Sequence, residues 1–250
     1  MNMLRVFALV KMELKKVLRE PAYLFLMLLF PAVLSLIFGL VFSSIPSGTP
    51  GMSTFDFMAP GIFAYACIFI TMIVAQTFCE DREYGLLKRI NTTPTTSAEF
   101  MSSHLVSNTI LALLQVAIVA IFIFLMGFRP EGSVLGLPFA VLFMAFLSIC
   151  SVGFGLITAT IAKSSSSATG LAFIFILPQM FFGTFIPLNE TTTIIAMFLP
   201  SYYATESLKM IFSGIALTEI TIWINLLVIV VMSFIITFFG IQLFKKYGYA

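Results

Sequence analysis

The chain has 250 residues, 60% hydrophobic and only 10% charged, with 29 Phe and 14 Met. Soluble domains carry about 45–50% apolar and about 25% charged residues, and no soluble fold of this length could hide such an excess. The mean hydropathy of +1.09 and the net charge of +2 therefore exclude a soluble enzyme and a nucleic-acid binder, which needs a clustered basic face, and specify an integral membrane protein.

Residues 1–20 read as an amphipathic interfacial helix. Met3, Phe7, Val10, Leu14 and Val17 recur at spacings of four and three, the mark of one helical face. Lys15, Lys16 and Arg19 lie to one side of that stripe, where basic side chains can meet anionic lipid headgroups. The segment is charged throughout, with no small-residue cleavage site behind an apolar run, so it is not expected to be a cleaved signal. Pro21 then interrupts the helix.

Six charge-free intervals follow, at about 22–42, 59–78, 105–126, 134–162, 168–187 and 220–244. Each approaches or exceeds the roughly 20 apolar residues that cross a bilayer. Six spans put both termini on one side, with the loops at 79–104 and 163–167. That side holds eleven Lys and Arg residues against two, Arg129 and Lys209, on the other, which places the termini in the cytoplasm.

Between the second and third spans, residues 80–94 concentrate charge. Six charged side chains fall within ten residues, Glu80, Asp81, Arg82 and Glu83 ahead of Lys88 and Arg89. Acids before bases is the order that a helix dipole favours. Leu86, Leu87 and Ile90 are apolar positions outside any span, and a protein surface is expected to bury them. At helical spacing, Glu83, Leu86 or Leu87, and Ile90 share one face.

The fourth and fifth spans carry small residues four apart, Ser151, Gly155 and Ala159, then Ala168 and Ala172. Such spacing lets helices approach closely, either within the chain or across a dimer seam. Ser164–Ser167 reads as a polar turn with no further role. After the fifth span, residues 188–214 are mostly apolar but divided by Pro200. Each half is too short to cross, and the segment reads as two short helices re-entering the outer leaflet, where protein must cover irregular backbone. Asn189-Glu190-Thr191 matches a glycosylation sequon that no other secretory feature supports.

None of the six spans contains Asp, Glu, Lys or Arg. Ion-coupled carriers need ionisable groups at membrane depth, and Gln76, Gln115, Gln179, Thr158 and Thr160 are too few to line a polar channel. The single histidine, His104, stands at the cytoplasmic start of the third span with no second His or metal-ligand motif beside it, and reads as structural. Cys67, Cys79 and Cys150 form no CxxC or disulfide framework. The chain also lacks GxSxG, HExxH and the P-loop pattern GxxxxGK[ST]. No catalytic, cofactor-binding or metal-binding residue is expected.

Topology, loop and outer segment together resemble the type-2 permease subunits of ATP-binding-cassette (ABC) exporters, over the whole chain. The family loop has the form E-R-E-x-G-T-L-E-x-L-x-x-T-P. In residues 80–94, Glu83, Gly85, Leu87, Thr93 and Pro94 fall on family positions, while Leu86 replaces the common Thr and Lys88 the common Glu. Pro178, Gly183, Phe185, Pro187, Pro200 and Tyr203 match the fifth span and outer segment, with Phe182 where Ser is usual.

The resemblance implies one transmembrane permease domain over 1–250, all-α, with the interfacial helix, six spans, a cytoplasmic coupling helix and re-entrant outer helices. It implies a homodimer on which two separate ATPase subunits dock, with ATP and Mg bound in those partners. Glu83, Tyr84, Gly85, Leu86, Leu87, Lys88, Ile90, Thr93 and Pro94 would form the ATPase-coupling element. Gly183, Pro187, Pro200 and Tyr203 would shape the outer segment. The implied activity is export of a hydrophobic or amphipathic compound, a drug or lipid-linked glycan, across a prokaryotic plasma membrane. A charge-free, Phe- and Met-rich interior suits such cargo. An ATP-independent channel or carrier is the alternative, and a membrane-embedded enzyme the third.

Overall fold

The computed structural model describes residues 3–19, 21–42, 54–86, 92, 95–185 and 188–247. Among these residues every regular element is helical: α1 (Met3–Arg19), α2 (Pro21–Phe42), α3 (Thr54–Glu83), α4 (Ser97–Leu125), α5 (Gly136–Ile161), α6 (Ser165–Met180), α7 (Glu190–Ala196), α8 (Pro200–Phe212) and α9 (Ile220–Tyr247). A π-helical turn, Phe181–Phe185, extends α6.

Local chemistry sets the boundaries. Pro21 opens α2, where a missing N–H costs nothing. Thr96 caps α4 by accepting from Glu99 N–H at 3.2 Å, while the Glu99 side chain accepts from Thr96 N–H at 3.0 Å, a reciprocal capping box. Ser164 and Ser167 form the same device at the start of α6. The polar turn without an expected role is thus the N-cap of a helix, which serine supplies because its hydroxyl reaches the free N–H groups of the first turn.

Five helices among the described residues are long and apolar enough to cross a bilayer, where six spans were expected. At the remaining position α2 runs over 22 residues, Pro21–Phe42. The central element is α3, whose apolar window is 83% buried inside the chain, against 22% for α9. It packs most extensively on α5 and α6. Gly155 makes that approach possible: a Cβ there would stand 2.8 Å from the Thr71 carbonyl oxygen and 2.7 Å from Val74 Cβ. Ser151, Ala159, Ala168 and Ala172 are fully buried. The small-residue rows therefore pack helices within this chain, an outcome the sequence left open.

The segment after α6 forms two short helices, α7 and α8, with Pro200 in the first turn of α8. Asn189, the sequon residue, caps α7 by accepting from Thr192 N–H at 2.9 Å. Gly183 meets α8 so closely that a Cβ would collide with Ser201, and Tyr203 donates its hydroxyl to the Met197 carbonyl at 2.8 Å. Pro187 lies outside the described residues.

Candidate functional site

The first helix uses only part of the face that its apolar spacing marks: Val10 and Val17 are buried and Leu14 packs against the core, while Met3 and Phe7 are exposed. Val6, Val10, Glu13 and Val17 are buried against the chain, whereas Met3, Leu4, Phe7 and Leu18 are exposed. Two apolar faces thus exist, one against protein and one outward, because four residues advance a helix slightly past one turn and split the stripe. Lys16 also faces the chain: its ammonium forms an ion pair with Asp81 at the end of α3. Arg5 approaches Glu99 of α4 at 3.9 Å, a second charged contact between α1 and the helices behind it.

The acidic half of the charged cluster does not lie in a loop. Glu80–Glu83 complete the last turns of α3, beyond the span end expected at residue 78. They stay helical because each charge has a partner. Gln76 donates to Glu80 Oε1 at 3.0 Å. Asp81 takes Lys16 of α1. Arg82 donates to the carbonyls of Ala162 and, at 3.5 Å, Thr160, and to Cys79 Sγ at 3.3 Å. A guanidinium at the C-terminal end of α5 satisfies orphan carbonyls and complements the dipole. Glu83 Oε1 accepts from Ser165 N–H at 2.9 Å, a carboxylate at the N-terminal end of α6, again the favoured sign. Three consecutive side chains therefore hold three different elements: α1, the end of α5 and the start of α6.

Tyr84 and Gly85 form a turn, and Leu86 is helical again. Gly85 has φ +71°, a conformation that a side chain disfavours. Glu83 belongs to α3, and the turn at Tyr84 and Gly85 separates it from Leu86. Among the described residues nothing lies within 4 Å of where a Cβ would sit on Gly85, and the turn is what calls for glycine. Tyr84 is 82% exposed. Leu87, Lys88, Ile90, Thr93 and Pro94 lie outside the described residues.

Beside the Lys16–Asp81 pair stands a residue set that sequence reasoning missed. His104 Nε2 lies 3.4 Å from Glu13 Oε1, and Glu13, Asp81 and His104 are 7%, 3% and 1% exposed. The His104 ring is held edge-on between Phe78 and Phe100, with centroids 5.1 and 4.4 Å away. Burial pushes the Glu13 carboxyl above its ordinary pKa, against the opposing pull of Lys16. One sequence signal could have found it: Glu13 falls in register with Val6, Val10 and Val17, so a carboxylate interrupts a buried apolar row.

At the end of the helices opposite α1, an open cleft of about 340 Å³ is lined by Phe57, Leu188, Thr193, Tyr202, Glu206 and Lys209. Lys209 pairs with Glu206 at 2.7 Å and lies over the Phe57 ring. The polar side chains weighed as a channel lining are dispersed: Thr158 and Thr160 donate to carbonyls of their own helix at 2.8 Å, and Gln115 and Gln179 are buried.

The family model described as ABC-2 type transporter matches residues 5–213 of the chain. No curated protein matches the sequence.

Proposed function

Because the chain belongs to the ABC-2 type transporter family, we propose that it is the membrane subunit of an ATP-driven exporter that moves a hydrophobic or amphipathic compound, a drug or lipid-linked glycan, out of a prokaryotic cytoplasm. In this reading α2 supplies the sixth span, both termini are cytoplasmic, and the segment α7–α8 re-enters the outer leaflet. Two copies pair in the plasma membrane. Two separate ATPase subunits, which bind ATP and Mg, dock on the cytoplasmic loop that α3 leads into, against Tyr84, Gly85, Leu86, Leu87, Lys88, Ile90, Thr93 and Pro94.

The observation that carries the proposal is the triple attachment of Asp81, Arg82 and Glu83. A push on the loop beyond Gly85 reaches the last turn of α3 first. From there it is delivered together to α1, to the end of α5 and to the start of α6, because each is bonded to one of three adjacent residues. Motion of an ATPase is thereby converted into concerted movement of helices rather than bending of a tether. Proton or ion coupling has no ionisable group in the spans to act through.

Co-expression with a Walker-motif ATPase encoded in a neighbouring reading frame tests this. The wild-type chain should co-purify with that ATPase, and crosslinking in membranes should give a permease species of twice 27.6 kDa. Leu87→Asp should insert normally, because the site lies outside the bilayer, yet lose the ATPase. Each buried Leu is worth roughly 1.5–3 kcal/mol of docking. A Leu87→Asp chain that retained a stoichiometric ATPase and wild-type transport would refute the assignment. Substrate movement by the chain alone, without nucleotide, would favour a channel or carrier.

A further inference from the structure

We propose that Glu13, Asp81 and His104 bind one divalent transition-metal cation of the zinc class, joining the interfacial helix to the cytoplasmic ends of α3 and α4. The three residues come from three helices. They offer Glu13 Oε1, an Asp81 carboxylate oxygen and a His104 ring nitrogen, all within 4.8 Å of one another. A tetrahedral ion with bonds of about 2.1 Å has ligand atoms about 3.4 Å apart, and Glu13 Oε1 and His104 Nε2 are separated by 3.4 Å. Closing the remaining distances needs shifts of only a few tenths of an ångström to about one at each ligand.

Three buried polar atoms point to a missing ligand. Glu13 Oε1, Asp81 Oδ2 and His104 Nε2 have no hydrogen-bond partner, although each side chain is more than nine-tenths buried. An unsatisfied buried polar atom costs on the order of 1–3 kcal/mol, and one cation satisfies all three. The charges agree. Two carboxylates face one ammonium, Lys16, with imidazole the metal-binding form when neutral.

Lys16 holds Asp81 by the other oxygen, Oδ1, and so orients Oδ2, as partners behind metal ligands do. Phe78 and Phe100 fix the imidazole plane. Glu13 also borders a cavity of about 20 Å³ with Lys16, Thr77, Ser107 and Asn108. That is room for one water beside Glu13. One imidazole with two carboxylates suits zinc, manganese or iron(II) better than calcium or magnesium.

The test uses the full-length chain in lipid nanodiscs, stripped with a chelator and then titrated with zinc against a chromogenic competitor. It is independent of the ATPase and therefore of the transport reading. The wild-type chain should bind one zinc equivalent. His104→Gln and Glu13→Gln should each weaken it by at least about a hundredfold, the upper range for losing even an outer support of a metal ligand. Glu206→Gln, on the cleft at the opposite end, should retain the equivalent. Cobalt in place of zinc should absorb as an imidazole–carboxylate complex without a thiolate charge-transfer band, a readout on the wild-type chain that needs no variant to fold. Absence of a bound equivalent would overturn the proposal. So would an equivalent that survives His104→Gln, or a thiolate band, which would place the ion on Cys67, Cys79 or Cys150.

Discussion

Replacing Lys16 by Met keeps the apolar stem and removes the charge that balances Asp81. The Asp81 side chain is 4% exposed and the Lys16 side chain 34%. Deleting one partner of a fully buried pair costs about 3–5 kcal/mol, and the partial exposure of Lys16 reduces this to about 2 kcal/mol. The loss falls on docking of α1, since Lys16 is its bond to α3. A cysteine at Val10, on the buried face of α1, reports that docking by its labelling rate, because a buried thiol reacts only when the helix opens. Native Cys67, Cys79 and Cys150 are fully buried and give little background. A loss of 2 kcal/mol raises the open population about thirtyfold, given a factor of ten per 1.4 kcal/mol. Lys16→Met in the Val10→Cys chain should therefore label about thirtyfold faster. Adding Asp81→Asn should recover most of the difference, since removing both partners leaves no bare charge. An unchanged rate in Lys16→Met would refute the reasoning: α1 would then be held without help from the Lys16–Asp81 pair.

Gly155→Val forces side-chain carbons onto the Thr71 carbonyl and Val74; overpacking of this kind costs about 2 kcal/mol and should lower the thermal midpoint in detergent by about 4–8 °C. In chelator, Glu13→Gln should slow Val10→Cys labelling, because a neutral amide avoids the burial cost that raises the Glu13 pKa; in zinc it should speed labelling, through loss of a ligand. Cysteines at Ser47 and Ser133 should react with an impermeant reagent in intact cells and those at Asn91 and Ser165 only after permeabilisation. Reaction at position 91 from outside would reverse the orientation drawn from the Lys and Arg bias.

The spans were legible because hydropathy and charge are local properties, and α4, α5 and α9 begin and end within a few residues of their expected limits, apart from the cytoplasmic first turns of α4. The helix at 3–19 and the division at Pro200 were equally plain. Charge did not mark the end of the helix at residues 79–83, since a charged residue ends a helix only if it lacks partners there. Asp81, Arg82 and Glu83 instead find Lys16, the end of α5 and Ser165, partners that lie 65–82 residues away in sequence. The same distance hid the cluster at His104. Its partners sit on α1 and α3, and no short motif spans such separations. Gly85 stood out in the sequence only by its place in the loop pattern; the positive φ that a glycine serves there is visible only in the structure.

Transmission through the end of α3 is tested most directly in proteoliposomes that hold the permease with its ATPase and a lipophilic fluorescent dye. The combined variant Asp81→Asn, Arg82→Met, Glu83→Gln frees α1, α5 and α6 from that end while leaving the loop beyond Gly85 intact. The ATPase should remain bound and continue to hydrolyse ATP, while dye efflux falls to the rate seen without nucleotide. ATP-driven efflux at the wild-type rate from that variant would contradict the account.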